Sequence, residues 1–330
     1  MPEVSIICPI YNEELFIEQC IDSVLQQDLP SDKWELLLVD GMSTDLTRQL
    51  IEPYLNKHTN IRLLDNPHKT APYAMNLGIN AAKGEYIVRI DAHAHYPRNY
   101  VSTLLHYLQI LPDAANVGAV CHTLPRNNSN KAQAIAQVMS SRFGVGNAAF
   151  RTGVSKITEV DTVPFGCFRK QTLIQCGGYD ERLTRNQDIE LNKRISQAGG
   201  KIYLIPDVSC SYYVRSTYKE LAHNNYQNGK WNILTVFFTH SLHSLSIRHF
   251  VPLLFLLSLI IPLLFMPLYL PIGFLSLLSL LAYIILIGSV SANIAYKKRV
   301  NFFCLLTAFF TLHISYGFGS LIGFTKILVQ

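Results

Sequence analysis

Short unbroken runs of apolar residues alternate, in the first part of the chain, with segments whose apolar residues recur every three or four positions. The unbroken runs Val4–Ile10, Trp34–Gly41 and Tyr86–Ile90 predict strands that are buried on both faces. A shorter strand is predicted in "IRLLDN". Helical spacing follows the first run, recurs at about Thr44–Tyr54, and appears in "APYAMNLGINAAKG", where Gly84 ends the helix.

This alternation of strands and helices predicts an α/β fold with a doubly wound, mostly parallel sheet and right-handed crossovers. Ligands of such sheets bind beyond the carboxyl ends of the strands. Tyr11, Asn12, Asp40 and Asp91 each follow or end a predicted strand. Polar residues that are distant in sequence are therefore expected to meet at one edge of the sheet.

The last third of the chain has a different pattern, with long apolar runs at 250–270, 272–295 and 302–324. Each run is long enough to cross a hydrocarbon core of about 30 Å as a helix. The residues before them, 232–249, alternate between polar and apolar, which fits either an interfacial helix or a plain linker helix. A membrane anchor of about three transmembrane helices is therefore predicted.

Charge placement predicts the orientation of this anchor. The last acidic residue is Glu220, and from Phe250 onward the formal charges are Lys297, Lys298, Arg299 and Lys326. Positive residues are retained on the cytosolic side, so Arg248 and the 297–299 cluster are expected in the cytoplasm, with the third helix ending outside. The prediction is a multi-pass protein of the inner or plasma membrane with its first domain in the cytoplasm.

Composition and charge argue against several other classes of protein. The net charge of +5 owes much to the apolar tail, and no basic stripe with interleaved aromatics points to nucleic acid. Seven cysteines without a CxxC pair argue for reduced thiols and against a disulfide frame or a zinc site. The acids near the start, in "MPEVSIICPIYNEE", argue against a signal peptide.

The segment "YIVRIDAHAHYP" presents Asp91, His93 and His95 at alternate positions directly after a predicted strand. Three interpretations compete: a metal site, an acid/base pair, and a solvated strand end without a role. In an extended chain the side chains of Asp91 and His93 point the same way, about 6.5 to 7 Å apart, and a cation fits between them. An imidazole ligand favours Mn²⁺ over Mg²⁺. His95 is expected to be a bystander.

Five motifs in order resemble those of family 2 glycosyltransferases with a GT-A fold, and among them the membrane-anchored succinoglycan-type ExoA group of bacterial exopolysaccharide enzymes. They are "CPIYNEE", "LLLVDGMSTDLT", "RIDAHAHYP", "NQDIELNKRI" and "YQNGKW". The resemblance covers about residues 3–235. It implies a cytosolic GT-A domain at 1–231, a linker helix at 232–249 and a membrane anchor at 250–330.

The resemblance implies a donor site for a nucleotide sugar, with UDP expected as the nucleotide. Asp40 matches the acid that binds the base, and Asp91 matches the first acid of the Asp-x-Asp metal motif. His93 stands where the common motif has its second acid, so Asp91 and His93 are the implied metal ligands. The implied nucleotide-binding residues are Pro9, Tyr11, Asn12, Glu13, Asp40, Lys69 and Asp91.

The same resemblance assigns Asp188 as the catalytic base, next to Gln187 where the family pair has a glutamate. One base without a second carboxylate nucleophile implies a single displacement with inversion. Helical spacing after Asp188 places it near a helix start, where a carboxylate is stabilised; a simple capping acid is the alternative. The residues implied for the acceptor or the diphosphate are Gly166, Arg215, Lys230 and Trp231.

The leading hypothesis is a metal-assisted, inverting hexosyltransferase that uses a nucleotide sugar and a lipid-linked saccharide in the assembly of surface polysaccharide. Other polysaccharide-assembly proteins are possible partners. Transfer to polyprenyl phosphate is an alternative enzyme hypothesis, in which the phosphate acceptor needs no strong base. A non-catalytic membrane sensor or scaffold is the alternative of another class, and His93 and Gln187 are its best arguments. A metal-dependent hydrolase would need a fuller cluster of ligands than Asp91, His93 and His95.

Overall fold

The computed structural model describes residues 1–240 and 245–329 of the chain. It divides into two units. The sheet unit comprises Met1–His122 and Ala149–Tyr212, and the helical unit comprises Thr123–Ala148 and Tyr213–Gln330.

The sheet unit is built on nine strands within the described residues, in the order β3-β2-β1-β4-β8-β6-β9-β5, with β7 pairing to β9. Strands β3, β2, β1 and β4 are parallel, as the sequence pattern predicts. Strand β8 then pairs antiparallel to both β4 and β6, and β5 and β7 run antiparallel to β9. The strands are β1 Val4–Ile10, β2 Trp34–Asp40, β3 Ile61–Asp65, β4 Tyr86–Arg89, β5 Ala94–His95, β6 Ala114–Pro125, β7 Thr158–Glu159, β8 Cys167–Arg169 and β9 Lys201–Val214.

Helices cover both faces of the parallel strands, which explains the unbroken apolar runs. Each helix buries one stripe: Ile17, Ile21 and Val24 of the first helix lie in the core on one side, and Met75 and Ile79 of the third lie in the core on the other. The helices are α1 Ile17–Leu25, α2 Thr47–Lys57, α3 Ala71–Ala81, α4 Tyr100–Ile110, α5 Asn130–Met139, α6 Arg142–Val145, α7 Ala149–Thr152, α8 Lys170–Gln175, α9 Gln187–Gln197, α10 Tyr218–Thr239, α11 Val251–Phe265, α12 Gly273–Lys298 and α13 Phe302–Val329.

The helical unit is organised around the packing of α13 along α10. A side chain at Gly229 of α10 would meet the backbone oxygen of Tyr316 at 2.0 Å, and one at Gly319 of α13 would meet that of Tyr226 at 1.9 Å. The two helix backbones therefore approach as closely as glycine allows. Helix α13 also packs against α5, α11 and α12.

Two helices among the described residues are long and apolar enough to cross a membrane, Leu270–Lys298 and Phe302–Ile327. They correspond to the second and third predicted spans. The first predicted span forms α11, whose 15 residues are shorter than the roughly 20 that a crossing helix needs. The number of crossings and the orientation stay predictions.

The predicted linker at 232–249 does not form a separate helix. Its first residues continue α10, which runs through position 231 to Thr239, so the expected domain boundary falls inside a helix. Residues 241–244 lie outside the described residues, and Ile247–His249 forms a single 3-10 turn.

Candidate active site

The loop after β1 is fastened to the loop after β2 by reciprocal hydrogen bonds. The Asn12 amide donates to Ser43 Oγ at 2.9 Å, and the Thr44 amide donates to Asn12 Oδ1 at 2.9 Å. The Glu13 amide donates to Thr47 Oγ1 at 2.8 Å. Asn12 adopts a φ of 54°, a left-handed conformation that asparagine tolerates better than most residues. The two loops therefore form one polar rim at the carboxyl ends of β1 and β2.

Asp40 ends β2 as a fully buried carboxylate. Its Oδ1 accepts from Ser43 Oγ at 2.5 Å, and Arg48 Nε lies 3.4 Å from its Oδ2. Burial of a carboxylate without such partners would be costly, so these contacts compensate for the position of Asp40 inside the fold. Recognition of a base by Asp40 stays a prediction, and it would require one of these partners to give way.

Tyr11 and Lys69 lie together beside the end of β2. The Lys69 ammonium is 6.0 Å from the centre of the Tyr11 ring, whose residue is 44% exposed. A Cβ at Gly41 would sit 3.2 Å from the Tyr11 ring and 3.3 Å from Lys69 Cα, so the glycine lets these residues close in. An exposed ring beside an ammonium suits a planar base attached to phosphates. Pro9, also assigned to the donor, lies within β1 opposite Val39.

Asp91 and His93 do not lie in an extended strand as the sequence analysis expected. Strand β4 ends at Arg89, and the Ala94 amide donates to the Asp91 carbonyl at 3.3 Å, which closes a turn. The Asp91 amide donates to Tyr96 Oη at 2.8 Å. Alternation of side chains applies to extended backbone and not to a turn, so the expected parallel placement of Asp91 and His93 is wrong.

The His93 ring is held on the side of the first loop. Its Nδ1 lies 3.2 Å from Glu13 Oε1, and its ring packs edge-on against Tyr212 at 5.3 Å and against Phe16 at 6.4 Å. His95, in β5, is exposed, which agrees with its assignment as a bystander. Glu13 and His93 thus meet as an acid and an imidazole at the rim.

Arg89 contacts both of the acids that the sequence analysis singled out, Asp91 as a metal ligand and Asp188 as the catalytic base. It is 7% exposed at the end of β4. Its Nη1 donates to Asp188 Oδ1, and its Nη2 and Nε lie 3.2 Å and 3.4 Å from Asp91 Oδ1. Asp91 and Asp188 are therefore neighbours in space, separated by one guanidinium.

Asp188 lies in the first turn of α9, as the sequence pattern predicts. Desolvation raises the pKa of its carboxyl, and Asp91 adds to that effect, while Arg89 acts in the opposite direction. The pKa of Asp188 lies, on balance, above the usual range of an aspartate, which suits a group that takes a proton near neutral pH. Asn186 precedes the helix with a φ of 62°.

Two buried polar atoms near this base have no well-formed hydrogen bond among the described residues. They are the Tyr179 hydroxyl and the Gln187 Oε1. Tyr179 is close enough to Asp188 to lower the pKa of that carboxyl, and Gln187 directly precedes Asp188. Buried groups without partners are rare in folded proteins, and they often mark sites where water or a ligand completes the bonding.

Gly166 has a structural reason to lack a side chain. A Cβ there would lie 2.0 Å from Oδ1 of the fully buried Asn116. The Gly166 carbonyl accepts from the Arg89 amide at 3.0 Å. The sequence analysis assigned this glycine to the acceptor or the diphosphate. The structure explains the missing side chain by packing against Asn116, and contact with an acceptor sugar stays a prediction.

The other residues assigned to acceptor or diphosphate belong to the helical unit. Arg215 follows β9 and is partly exposed, and Lys230 and Trp231 are partly buried in α10. Desolvation lowers the pKa of Lys230, and repulsion from Lys326 makes a smaller contribution in the same direction. The roles of these three residues toward a substrate stay predictions.

Arg89 and Tyr179 were missed from the sequence. The signal for Arg89 was present, because an arginine inside the buried run "YIVRID" needs an acidic partner, and Asp91 follows two positions later. Nothing in the sequence connected it to Asp188, which lies 99 positions away along the chain.

The protein supplies an incomplete set of metal ligands. No group of three or more His, Cys, Asp or Glu side chains is arranged to hold a metal among residues 1–240 and 245–329. Both hydrogen bonds from Arg89 to the Asp91 carboxylate go to Oδ1, and the Asp91 side chain is 22% exposed, so Oδ2 lies outside the contacts with Arg89. Mg²⁺ is often held by one or two carboxylates together with substrate phosphates, a pattern that Asp91 alone fits, whereas an imidazole ligand from His93 suits Mn²⁺ better.

Comparison with known sequences gives one family and several relatives. The model of the family described as "Glycosyl transferase family 2" matches residues 5–173. A dolichyl N-acetyl-alpha-D-glucosaminyl phosphate 3-beta-D-2,3-diacetamido-2,3-dideoxy-beta-D-glucuronosyltransferase of Methanococcus voltae is 30% identical over 66% of this chain and 68% of its own length. The succinoglycan biosynthesis protein ExoA of Rhizobium meliloti is 31% identical over 64% of this chain and 63% of its own.

Comparison with solved structures shows the same fold. A mannosyltransferase of Pyrobaculum calidifontis, in complex with GDP-Man and Mn²⁺, aligns with a TM-score of 0.62 at 21% identity, over 97% of this chain and 87% of that one. TarS of S. aureus in complex with UDP aligns with a TM-score of 0.53 at 17% identity, over 100% of this chain and 92% of that one. At these identities the likeness concerns the fold alone.

Proposed function

From the premise that this chain belongs to glycosyl transferase family 2, and is therefore a glycosyltransferase with a GT-A fold, we propose that it transfers a sugar from a UDP donor to a lipid-linked saccharide with inversion. We place the reaction at the cytoplasmic face of a membrane, in the synthesis of a surface polysaccharide. A dolichyl-phosphate sugar is named as the acceptor of the Methanococcus voltae relative, and succinoglycan as the product pathway of the Rhizobium meliloti relative, which supports this class of acceptor.

The observation that carries the proposal is the pairing of Asp91 and Asp188 through Arg89. In a single displacement the base must face the sugar carbon on the side opposite to the leaving diphosphate. The two acids must then be close, but not in contact. One guanidinium between two carboxylates provides that separation, because each acid contacts a different part of Arg89.

Asp188 acts in this proposal as the general base. It accepts the proton of the acceptor hydroxyl as that oxygen forms its bond to the anomeric carbon, while the bond from that carbon to the diphosphate oxygen breaks. Desolvation raises the pKa of Asp188 toward the range where a base works well at neutral pH. Gln187 cannot supply a second carboxylate, so Asp188 acts alone.

In this proposal Asp91, together with His93, binds the donor through a cation. Asp91 and His93 would hold a divalent cation, and a cation held there would supply positive charge to the leaving diphosphate. Mn²⁺ is favoured over Mg²⁺, because it accepts an imidazole ligand more readily. Tyr11, Asn12 and Lys69 orient the nucleotide. With the base against the Tyr11 ring, the nearby ammonium of Lys69 would contact the phosphates.

The apolar helices account for the choice of acceptor. Two of them are long and apolar enough to cross a membrane, judged by length and composition. The basic cluster of Lys297 and Lys298 at the end of α12 is expected on the cytoplasmic side, together with the sheet unit. An enzyme anchored in this way meets acceptors that themselves reside in the bilayer.

The test uses the full chain purified in detergent or in nanodiscs. Binding of UDP and of GDP is measured by calorimetry with Mn²⁺, with Mg²⁺ and with chelator. Release of nucleotide is then followed from UDP-glucose, UDP-galactose, UDP-N-acetylglucosamine and GDP-mannose in the presence of lipid-linked saccharides from a bacterial membrane extract. Metal-dependent UDP binding and acceptor-dependent UDP release, with Asp188→Asn inactive, are the expected results.

Other outcomes identify the alternatives. Transfer to polyprenyl phosphate alone, with Asp188→Asn retaining most of the rate, would favour the polyprenyl-phosphate sugar transferase. UDP binding without turnover of any donor would favour a sensor or scaffold. Binding of GDP in place of UDP would overturn the choice of nucleotide and leave the class of reaction unchanged.

A further inference from the structure

We propose that Arg89 is the positioning residue of the catalytic base, and that its guanidinium fixes the carboxylate of Asp188 in the orientation that receives the acceptor proton. This inference rests on the proposed function, because it assumes that Asp188 is the base. It adds Arg89 to the site, a residue inside the motif "RIDAHAHYP" to which the sequence analysis assigned no role.

The backbone of Arg89 is itself fixed, so its side chain starts from a rigid point. Residue 89 is paired with Ile7 in the parallel ladder between β1 and β4. Its amide donates to the Gly166 carbonyl at 3.0 Å, on the β8 side of the strand. Because neighbouring segments are hydrogen-bonded to this strand on both sides, the Cα of Arg89 is held in place, and the side chain extends from a rigid position.

The shape of the guanidinium explains why this position carries arginine. Arginine presents its N–H donors in a planar fork, so Nη1 serves Asp188 while Nη2 and Nε serve Asp91. A lysine ammonium is a single point of charge and cannot hold two acids at fixed directions. Arg89 therefore offsets the repulsion between the two carboxylates and defines the angle at which Asp188 is presented. Both of its contacts with Asp91 go to Oδ1 alone, so we expect Asp91 to keep most of its role toward the donor when Arg89 is lost.

A purely structural role makes a different prediction. Replacing a whole buried ion pair can leave a fold intact, but removing one partner destabilises the fold, because the other charge stays buried without compensation. If Arg89 only stabilises the sheet unit, its loss lowers the amount of folded protein and leaves turnover per folded molecule unchanged. If it positions Asp188, turnover falls while binding of the donor is largely kept.

The experiment compares Arg89→Gln, Arg89→Lys and the control Arg62→Gln in the full chain. Arg62 is matched to Arg89, because it also leaves a parallel strand, β3, and pairs with a buried acid, Glu35, at 3.2 Å. Folded protein is quantified by thermal unfolding, UDP binding by calorimetry, and kcat and KM by UDP release from the UDP-sugar that the wild-type chain turns over.

For Arg89→Gln we expect kcat to fall about a hundredfold, with donor KM and UDP affinity within about threefold of wild type, since a small misplacement of a reacting group costs on that order. Arg89→Lys should recover part of the lost kcat, because it restores the charge without the fork. Arg62→Gln should lower the unfolding temperature and leave kcat unchanged. Adding Arg89→Gln to Asp188→Asn should cause little further loss, because both changes disable one unit.

An unchanged kcat in folded Arg89→Gln would overturn the proposal, as would a rise in donor KM without a fall in kcat. Full additivity of Arg89→Gln and Asp188→Asn would also overturn it. If Arg89→Gln does not fold, Arg89→Lys carries the test by the same split between kcat and KM. A wild-type chain that binds UDP but turns over no donor is a failure of the proposed function, and the role of Arg89 falls with it.

Discussion

His93 Nδ1 lies 3.2 Å from Oε1 of Glu13, so the turn after β4 and the loop after β1 meet through an imidazole and a carboxylate. Both residues come from motifs that the sequence analysis assigned to the donor. Their contact joins these two segments at one edge of the sheet. The contact engages Nδ1, and a carboxylate on one ring nitrogen is the usual partner of a histidine that binds a cation through the other. An imidazole ligand brings no negative charge to the cation, whereas the carboxylate of Asp91 does.

Metal-dependent nucleotide binding should therefore depend more on Asp91 than on His93. We expect Asp91→Ala to weaken Mn²⁺-dependent UDP binding by at least about tenfold, because losing a charged contact to the cation costs on the order of 1.5 to 3 kcal/mol. His93→Ala should have a smaller effect. Calorimetry with and without chelator measures both. His95→Ala is the control, since that side chain is exposed in β5, and equal losses for all three variants would contradict the assignment.

Replacing the base should abolish turnover and spare the fold. Asp188→Asn is expected to lower kcat by about a hundredfold to ten-thousandfold, the usual contribution of a general base. Its unfolding temperature should stay close to that of wild type, because the substitution removes a desolvated charge but also removes one ion-pair partner of the buried Arg89. Asp180→Asn provides the comparison: this acid pairs with Arg182 at 2.7 Å, and its loss should leave kcat unchanged.

The raised pKa of Asp188 predicts the direction in which kcat/KM and the free energy of unfolding change with pH. The base must be ionised, so kcat/KM should fall with unit slope as the pH drops through the raised pKa, nearer neutrality than the ordinary value of about 3.9. Below the ordinary value both folded and unfolded states bind the proton. Between the two values only the folded state binds it, so this group makes unfolding easier as the pH rises. Asp188→Asn should remove that component, measured by denaturant unfolding across the window.

Gly166→Ala should destabilise the sheet unit. The new methyl would lie 2.0 Å from Asn116 Oδ1, inside a packed region, and overpacking of this kind costs about 1 to 3 kcal/mol. Asn116→Ala introduced together with Gly166→Ala should recover part of the loss, because it removes the atom that clashes. Urea unfolding measures both variants. A Gly166→Ala protein of wild-type stability but impaired acceptor KM would instead support the sugar-contact explanation.

Gly229→Ala should separate α10 from α13. Its methyl would meet the Tyr316 carbonyl at 2.0 Å, and backbone cannot yield as a flexible side chain does. The expected result is a lower unfolding temperature in detergent, with faster proteolysis of the helical unit. Gly288→Ala in α12 is the matched change, since no atom among the described residues lies within 4 Å of its Cβ, and it should be neutral.

The sequence predicted the parts of this fold that depend on local pattern. The runs at β1, β2 and β4 are buried on both faces and could be recognised as parallel strands from their unbroken apolar character. Asp40 and Asp188 were placed by motif and strand order, and they lie at the end of β2 and in the first turn of α9 as expected. Asp91 follows β4, but it lies in a turn and not in the extended chain that was expected.

The sequence did not predict relationships that depend on the path of a turn or on distant contacts. The turn after Arg89 separates Asp91 from His93, because one backbone hydrogen bond is enough to break the alternation. The contact from Arg89 to Asp188 and that from Gly166 to Asn116 join segments far apart in the chain, and no periodicity encodes them. The continuation of α10 past residue 231 was missed because its second half is apolar and resembles a separate segment.

The glycine contact between α10 and α13 also fixes an order of events during synthesis. Helix α10 is synthesised before α13. Its Gly229 face therefore stays uncovered until α11, α12 and most of α13 have been synthesised. At about 5–20 residues per second that wait lasts several seconds. The segment that carries α5 waits longer, because it too packs on α13. The sheet unit is therefore translated before its companion unit can close, and the window in between is when chaperones or the insertion machinery would have to protect the nascent chain.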